Sequence, residues 1–273
     1  QPANGVSTTL PSTALQQSDL QFDSPYSNYS LSFNGINDYI TIPDSSDLEP
    51  QNLTVSFWIN AGAQSNYDYY LEKGNYSYAV YTRTTTTDLI FFIYDGNNLY
   101  LSNALTNVLD SNWHHIVFTY DGSQIIGYKD GVANIPVSVS ATILYDANPL
   151  RLFSRGPSQG NYPSGKMDEL AIWNTALSPA QVLEIYNNGK PNDLNSFSGA
   201  APVSWWRLGE NAYFDNNSFI VPNSIPGAPN GTGSGTVTTM ISADAPGTYA
   251  NGIGSNLDIV DRVGDAPLSV ANS

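Results

Sequence analysis

The sequence predicts an all-β fold, an antiparallel jelly-roll sandwich with one short closing α-helix. From Tyr29 onward, short segments alternate apolar and polar residues with the period of two that half-buried strands show. Asp-Gly pairs suited to hairpin turns separate several of these segments, at 95–96, 121–122 and 130–131. Only one segment has a convincing helical pattern. Many short strands joined by turns, with almost no helix, indicate a sandwich or jelly roll.

The strand pattern is clearest in residues 53–60, LTVSFWIN. Its alternate apolar residues share one face: Leu53, Val55, Phe57 and Ile59. The segments YSYAVYT, DLIFFIYD, HHIVFTYD and QIIGYKDG continue the series along the chain. Each of them predicts a short strand.

The helix is predicted in TALSPAQVLEIYNNG. Ser178 fits the N-cap, Pro179 the first helical position, and Gln181 completes a capping box. Asn188-Gly189 is a typical helix end. A helix this short predicts an element that closes the sandwich.

The chain divides into three parts by composition. Residues 1–28 are rich in Gln, Ser, Thr and Pro and predict an extended N-terminal arm, and residues 29–189 form the predicted sandwich. Residues 190–273 predict a linker, a strand at 203–210 and a weakly structured C-terminal tail. Because the chain lacks a starting Met, we expect a processed product or a segment of a longer protein.

Composition excludes several classes of function. The net charge of -15 argues against nucleic acid, because few basic side chains are available to neutralise phosphates. The same charge disfavours an anionic membrane surface and favours cations such as Ca²⁺. No apolar run has the length of a membrane span, and the chain has no cysteine for disulfides or thiolate metal sites.

Several segments together resemble the laminin-G-like, concanavalin A-like jelly-roll family of the lectin/glucanase superfamily. They occur in the expected order: SLSFNGINDYITIPDSSDL, LTVSFWINA, SNWHHIVFTYDGSQIIGYKDGV and GKMDELAIWNTALSPAQVLEIYNNG. The resemblance implies ligand binding at the loop rim or concave face, and a structural Ca²⁺ in many members. It also implies use as a module in bacterial surface proteins and phage virion proteins.

One segment departs from the order of that family. A strand similar to VSWWRLGE normally opens such a domain, whereas here it follows the closing helix, at residues 203–210. Three interpretations are open: a circular permutation that completes the same sheet, a strand given to a neighbouring subunit, or a degenerate second module. We favour permutation, which is tolerated when chain ends lie close together.

Asp168 and Glu169 are the most prominent acidic pair. Adjacent residues of a strand point to opposite faces, so we expect these carboxylates to diverge and to be unable to flank one glycosidic bond. The E-x-D-x-E string of concanavalin-like glycosidases is also absent. The sequence therefore predicts no catalytic residues and no enzyme.

Two binding sites are predicted. The resemblance implies that Asp168 binds Ca²⁺ together with carbonyls of the Asn34-Gly35 turn, and Asp38 could add a carboxylate. The alternative is that Asp168 accepts backbone hydrogen bonds at a turn and binds no metal. For glycans, aromatic and polar side chains cluster at one predicted loop: Tyr67, Asp68, Tyr69, Asn75 and Tyr76. The alternative is that tyrosine is simply a common sheet residue of this chain, which has 18.

Two functions are compatible with these features. The first is a non-enzymatic structural protein of a virion or extracellular surface, which uses the jelly roll for assembly and display with copies of itself or other virion proteins. The second is a carbohydrate-binding adhesin module that recognises host or environmental glycans.

Overall fold

The computed structural model describes residues 27–63, 67–83, 87–156, 161–215, 218–235 and 239–247. Within these ranges the fold is all-β, with two antiparallel sheets of nine strands each and one α-helix, as predicted. The predicted arm lies outside the described residues except for its last two positions. None of the helices in the described ranges has the length and apolar composition that crossing a bilayer requires.

The chain passes between the two sheets several times, in runs of one to four consecutive strands. Sheet A contains β1 (Ser30–Asn34), β3 (Leu53–Asn60), β8 (Trp113–Tyr120), β9 (Gln124–Lys129), β10 (Val132–Ala133), β11 (Val137–Ser138), β13 (Ser164–Trp173), β14 (Ser204–Trp206) and β18 (Ile241–Ser242). Sheet B contains β2 (Tyr39–Ile42), β4 (Tyr69–Lys73), β5 (Tyr78–Tyr81), β6 (Ile90–Tyr94), β7 (Leu99–Leu101), β12 (Leu150–Leu152), β15 (Tyr213–Asp215), β16 (Ser218–Val221) and β17 (Gly231–Ser234).

The strand orders place distant parts of the chain side by side. Sheet A runs β10-β9-β8-β3-β13-β1-β18, with β11 also paired to β9 and β14 to β13. Sheet B runs β15-β16-β17-β2-β12-β4-β5-β6-β7. Several neighbours in each sheet are therefore far apart in sequence, including β1 and β18 in sheet A and β2 and β17 in sheet B, as in a jelly roll.

The main core lies between the two sheets. Alternate residues of β3 point into it, including Val55 and Phe57, and meet Val80 and Phe91 from sheet B. Phe91 stacks on Phe118 of β8 with ring centroids 5.2 Å apart. The period of two in the sequence thus produces one continuous apolar layer.

The outer face of sheet A is covered by the helix α1 (Pro179–Tyr186). Val182 and Ile185 of α1 pack with Trp173 and Trp205 of the sheet in a second apolar cluster. The helix begins at the predicted capping box, in which Ser178 and Gln181 exchange hydrogen bonds, and it ends at Asn187 with a left-handed φ of 46°. This outer face is therefore closed to ligands where the helix covers it.

The C-terminal part is built into both sheets. The VSWWRLGE segment contributes β14, which pairs with residues 170–172 of β13 in the same sheet. Residues 213–242, expected to be weakly structured, instead contribute β15 to β18. In sheet B, β17 pairs with β2, β16 pairs with β17, and β15 pairs with β16 at the edge of the sheet. The core accordingly contains Trp206, Phe219 and Val221.

Candidate functional site

The outer face of sheet B carries an aromatic platform, defined here as Tyr67, Tyr69, Tyr76, Tyr81 and Phe92. Alternation along β5 sends Val80 into the core and Tyr81 outward, and alternation along β6 does the same for Phe91 and Phe92. These outward rings form an apolar cluster separate from the core.

The platform rings contact one another in a continuous series. The Tyr81 ring stacks on Tyr69 at 5.1 Å and on Tyr67 at 6.2 Å, centroid to centroid. Phe92 meets Tyr81 edge-on at 5.5 Å and lies 6.2 Å from Tyr76. Tyr69, Tyr81 and Phe92 are buried, whereas Tyr67 is 49% exposed. The exposed ring therefore rests on a packed aromatic layer.

Arg155 and Glu72 border the platform. The Arg155 guanidinium carbon lies 5.4 Å from the Tyr69 ring centroid and 5.7 Å from that of Tyr76, and it donates a hydrogen bond to the Tyr76 hydroxyl. Glu72 accepts a hydrogen bond from the Gly156 N–H. Burial raises the pKa of Glu72 to about 7, although the Gly156 N–H and the nearby arginines oppose this shift.

The structure brings together three of the five residues predicted for glycan contact. Tyr67, Tyr69 and Tyr76 lie on the platform. Asp68 is buried, and its N–H donates to the Thr82 hydroxyl. Asn75 lies at an exposed turn, and its backbone N–H donates a hydrogen bond to Asp146 Oδ2.

Sequence reasoning missed three members of this surface. Tyr81 and Phe92 lie outside the predicted loop, on β5 and β6, and Arg155 follows β12. The positions of Tyr81 and Phe92 could have been predicted. Side chains alternate along a strand, so each residue next to a core residue, here Val80 or Phe91, points to the outer face. Nothing in the local sequence indicated that Arg155 would reach the same surface.

A second candidate site, the acidic junction, contains Asp168, Glu169 and Glu210. It lies between the parts of β13 that pair with two different strands. β1 pairs with residues 164–167 of β13, and β14 pairs with residues 170–172. Opposite β3, the register shifts between Asp168 and Ala171, so β13 has an extra residue there. Glu169 adopts a left-handed φ of 49°, as one residue of a β-bulge can.

The predicted divergence of Asp168 and Glu169 is wrong. The bulge breaks the alternation, and one carboxylate oxygen from each of Asp168, Glu169 and Glu210 lies within 4.8 Å of the others. Asp168 is fully buried and Glu169 is 6% exposed. Burial of both carboxylates leaves no room for a sugar between them, so the geometry still does not suit a glycosidase.

Most oxygens of the junction accept hydrogen bonds. Glu169 accepts from the Trp205 indole N–H at 2.6 Å and from Arg207 Nε at 3.0 Å. Glu210 accepts from the Ser27 hydroxyl and from the N–H groups of Asn28 and Tyr29. These contacts tie the segment before β1 to the segment after β14.

Asp168 differs from the other two acids. Its Oδ1 accepts from the Glu169 N–H at 2.9 Å, but its Oδ2 is buried without a hydrogen-bond partner within the described residues. Burial, followed by the charges of Glu169 and Glu210, raises the pKa of Asp168 well above its ordinary value. Burial likewise raises the pKa of Glu169, against the opposing effect of Arg207. Three ionised carboxylates beside one guanidinium leave a net charge of -2, which only protons or a cation can offset.

The structure does not assemble the predicted calcium set of Asp168, Asn34, Gly35 and Asp38. Asn34 pairs with Ser164, four residues along β13 from Asp168, which separates them by roughly 13 Å. Asn34 Oδ1 instead accepts the N–H groups of Ile36 and Asn37. Asp38 Oδ2 accepts a hydrogen bond from the Asn34 N–H. The side chains of Asn34 and Asp38 therefore stabilise the turn to which they belong.

Comparison with known proteins gives a family and a fold. One curated relative, adhesion G-protein coupled receptor V1 of Danio rerio, is 23% identical over 168 residues, which is 56% of this chain and 3% of the receptor. A protein from Bacteroides ovatus ATCC 8483, proposed to bind carbohydrate, superposes with a TM-score of 0.60 at 16% identity. The match covers 80% of this chain and 61% of that one.

A heptameric SAP-like pentraxin from Limulus polyphemus gives a TM-score of 0.47 at 14% identity, with 72% of this chain and 92% of the pentraxin covered. The chain therefore spans a small part of the receptor and less than two thirds of the Bacteroides protein. The family model of the concanavalin A-like lectin/glucanases superfamily matches residues 34–183. Because this region is more than half of the 273 residues, the chain belongs to that superfamily.

Proposed function

We propose that the protein is a non-catalytic carbohydrate-binding module, and that it binds glycan on the aromatic platform of sheet B. The observation that supports this is the stacked series of outward-facing rings that ends in the exposed Tyr67. Apolar faces of sugar rings stack on aromatic side chains, and a platform that is already packed loses little conformational entropy on binding. The Bacteroides neighbour, proposed to bind carbohydrate, has the same fold.

Tyr67→Ala and Tyr76→Ala test this function. Both side chains lie at the solvent side of the platform, so their loss removes contact area without opening the core. We expect each substitution to weaken glycan binding about tenfold, which corresponds to about 1.4 kcal/mol. The measurement is retention on a glycan array, followed by titration calorimetry with the best-retained glycan.

Tyr213→Ala is the matched control. Tyr213 is 50% exposed and belongs to the same sheet, on the edge strand β15 at the opposite end from the platform. Its loss should leave binding unchanged. Glycan binding that survives both platform substitutions, or that Tyr213→Ala abolishes equally, would argue against this surface.

We further propose that the acidic junction holds a hard divalent cation such as Ca²⁺. The buried Asp168 Oδ2 without a partner, and the gathering of three carboxylates beside a single guanidinium, support this. Carboxylate oxygens within 4.8 Å of one another also suit Ca²⁺, whose ligands lie about 2.3–2.6 Å from the ion. Bound there, the cation would hold β1 and β14 against β13 through Asp168, Glu169 and Glu210.

Metal removal tests this proposal. EDTA should lower the melting temperature of the protein, and Asp168→Asn should abolish the effect of EDTA. Terbium offers a second readout, because the Trp205 indole donates to Glu169 and would sensitise the luminescence of an ion bound beside it. Asp38→Asn is the control, since Asp38 belongs to the separate Asn34 turn. A melting temperature insensitive to EDTA, with no sensitised terbium emission, would refute the cation site.

A location on a virion or other extracellular surface, with further copies or other surface proteins as partners, is part of the same proposal. Binding of glycan at the exposed Tyr67 end of the platform is useful where the protein meets a host or environmental polysaccharide. Immunogold labelling of purified particles or intact cells with antibody to the chain tests this location.

A further inference from the structure

A second pair of aromatic rings lies on the outer face of sheet B, beside the platform. Ile40 and Ile42 of β2 point into the core, so Tyr39 points outward. The Tyr162 ring stacks on Tyr39 with centroids 5.8 Å apart, and both side chains are partly exposed. The Arg151 guanidinium carbon lies 5.3 Å from the Tyr39 ring centroid and supports this ring from β12. Tyr39 and Tyr162 are called the second aromatic pair below.

The second aromatic pair lies at the same level of the sheet as the platform. The register of the strands places Ile40 of β2, Leu152 of β12 and Leu71 of β4 in one row. β2 and β4 run in the same direction, because both are antiparallel to β12. Tyr39, before Ile40, and Tyr69, before Leu71, therefore lie on the same side of this row. Since β12 lies between β2 and β4, these two strands are roughly 10 Å apart.

The residue of β12 that would separate the two aromatic surfaces is turned into the core. Alternation from the core residue Leu152 would direct the next side chain, that of Phe153, outward. Phe153 instead adopts a left-handed φ of 56°, which bulky residues rarely do. Its ring is buried and stacks on Phe33 with centroids 3.8 Å apart. The phenylalanine ring therefore does not stand between the platform and the second aromatic pair.

The segment before β13 connects the two aromatic surfaces. Asn161 Nδ2 donates a hydrogen bond to the carbonyl oxygen of Tyr67 at 3.0 Å, and the next residue is Tyr162 of the second aromatic pair. Tyr67 carries the exposed ring of the platform. The separation between the two surfaces is therefore set in the folded protein, and a ligand that contacts both does not have to order them.

Resting on the proposed glycan-binding function, we infer that the ligand is the interior of an extended polysaccharide chain, which crosses the strands of sheet B and contacts both the platform and the second aromatic pair. Sugar rings at the two ends of this path would stack on tyrosine side chains. One sugar ring does not reach from one surface to the other, whereas a chain of several residues does. Neither end of the polysaccharide is needed for these contacts.

The length of the glycan tests this inference. The probe is a size ladder, from the disaccharide upward, prepared by partial hydrolysis of the polysaccharide that a glycan array retains best. Titration calorimetry gives the affinity of the full-length protein for each member. We expect the affinity to rise about tenfold once the members are long enough to reach the second aromatic pair. Equal affinity for all lengths overturns this inference and leaves the proposed function intact.

Variants distinguish the second aromatic pair from length alone, because a longer chain also offers more equivalent binding positions. Tyr162→Ala should lose most of the tenfold gain. Tyr162→Phe keeps the ring and should keep the gain. Tyr29→Ala should also keep it, since this tyrosine is 46% exposed and lies before β1 of sheet A.

Tyr39→Ala gives the same test if Tyr162→Ala does not fold. A gain that survives the loss of the second aromatic pair, or that Tyr29→Ala removes equally, overturns this inference. If no member of the ladder binds and the glycan array is also blank, the proposed function is overturned as well.

Discussion

Glu72 shows how one buried carboxylate can set the response of the protein to pH. Burial raises its pKa from 4.5 to about 7, so the folded state binds a proton that the unfolded state releases. The resulting stability is complete below pH 4.5 and is lost as pH rises through 7. This direction is opposite to that of a salt-bridged acid.

Glu72→Gln should flatten this pH dependence. Gln keeps an acceptor for the Gly156 N–H but does not titrate. Between pH 4.5 and pH 8, the wild-type protein should lose up to about 3 kcal/mol of unfolding free energy relative to the variant. Urea unfolding at both pH values measures the difference. Parallel curves for the two proteins would show that Glu72 ionises freely in the folded state.

The residue scale is also where sequence reasoning failed. Strand alternation predicted that Asp168 and Glu169 diverge, and the rule itself is sound. The left-handed φ at Glu169 breaks the alternation, and no glycine or proline marks that position in MDELAIW. The cause is tertiary: β13 must meet β1 on one side of the bulge and β14 on the other.

At the scale of elements, α1 depends on its cap. Ser178→Ala removes the side-chain acceptor for the Gln181 N–H and should lower the free energy of unfolding by about 1 kcal/mol. Ser178→Asp restores an acceptor and should keep wild-type stability. Denaturant unfolding followed by circular dichroism measures both. An unchanged midpoint for Ser178→Ala would mean that packing of Val182 and Ile185 holds the helix without its cap.

Elements with a strong apolar period were predictable, and elements without it were not. β3, β8 and α1 occur where the pattern placed them. β17, with the sequence GTGS, has no apolar side chain, and packing explains its composition. A Cβ at Gly231 would lie 2.7 Å from Ile40 Cγ2, so the close approach of β17 to β2 requires glycine there.

At the scale of the whole molecule, the C-terminal part belongs to the same core as the rest. Five residues of the main core come from beyond the closing helix: Trp206, Leu208, Phe219, Val221 and Met240. Their burial contributes about 10 kcal/mol, comparable to the total stability of an ordinary domain. The match to the family covers residues 34–183 and does not include them.

A truncated chain tests this dependence. A chain ending at residue 189 lacks β14 to β18 and should show no cooperative thermal transition. A chain ending at residue 247 keeps all five strands and should melt close to the full-length protein. Scanning calorimetry compares the three. A cooperative transition at the original temperature in the shorter chain would show that residues 29–189 form an independent domain.

The hydrogen bonds from residues 27–29 to Glu210 join positions 181 to 183 apart along the chain. At this point Gly209 comes so close to Tyr29 that a Cβ would lie 2.4 Å from its carbonyl carbon. During synthesis, Glu210 must therefore leave the ribosome before the segment that precedes β1 can form these contacts. Folding should be late and slow, because contacts of such long range form only after large loops have closed.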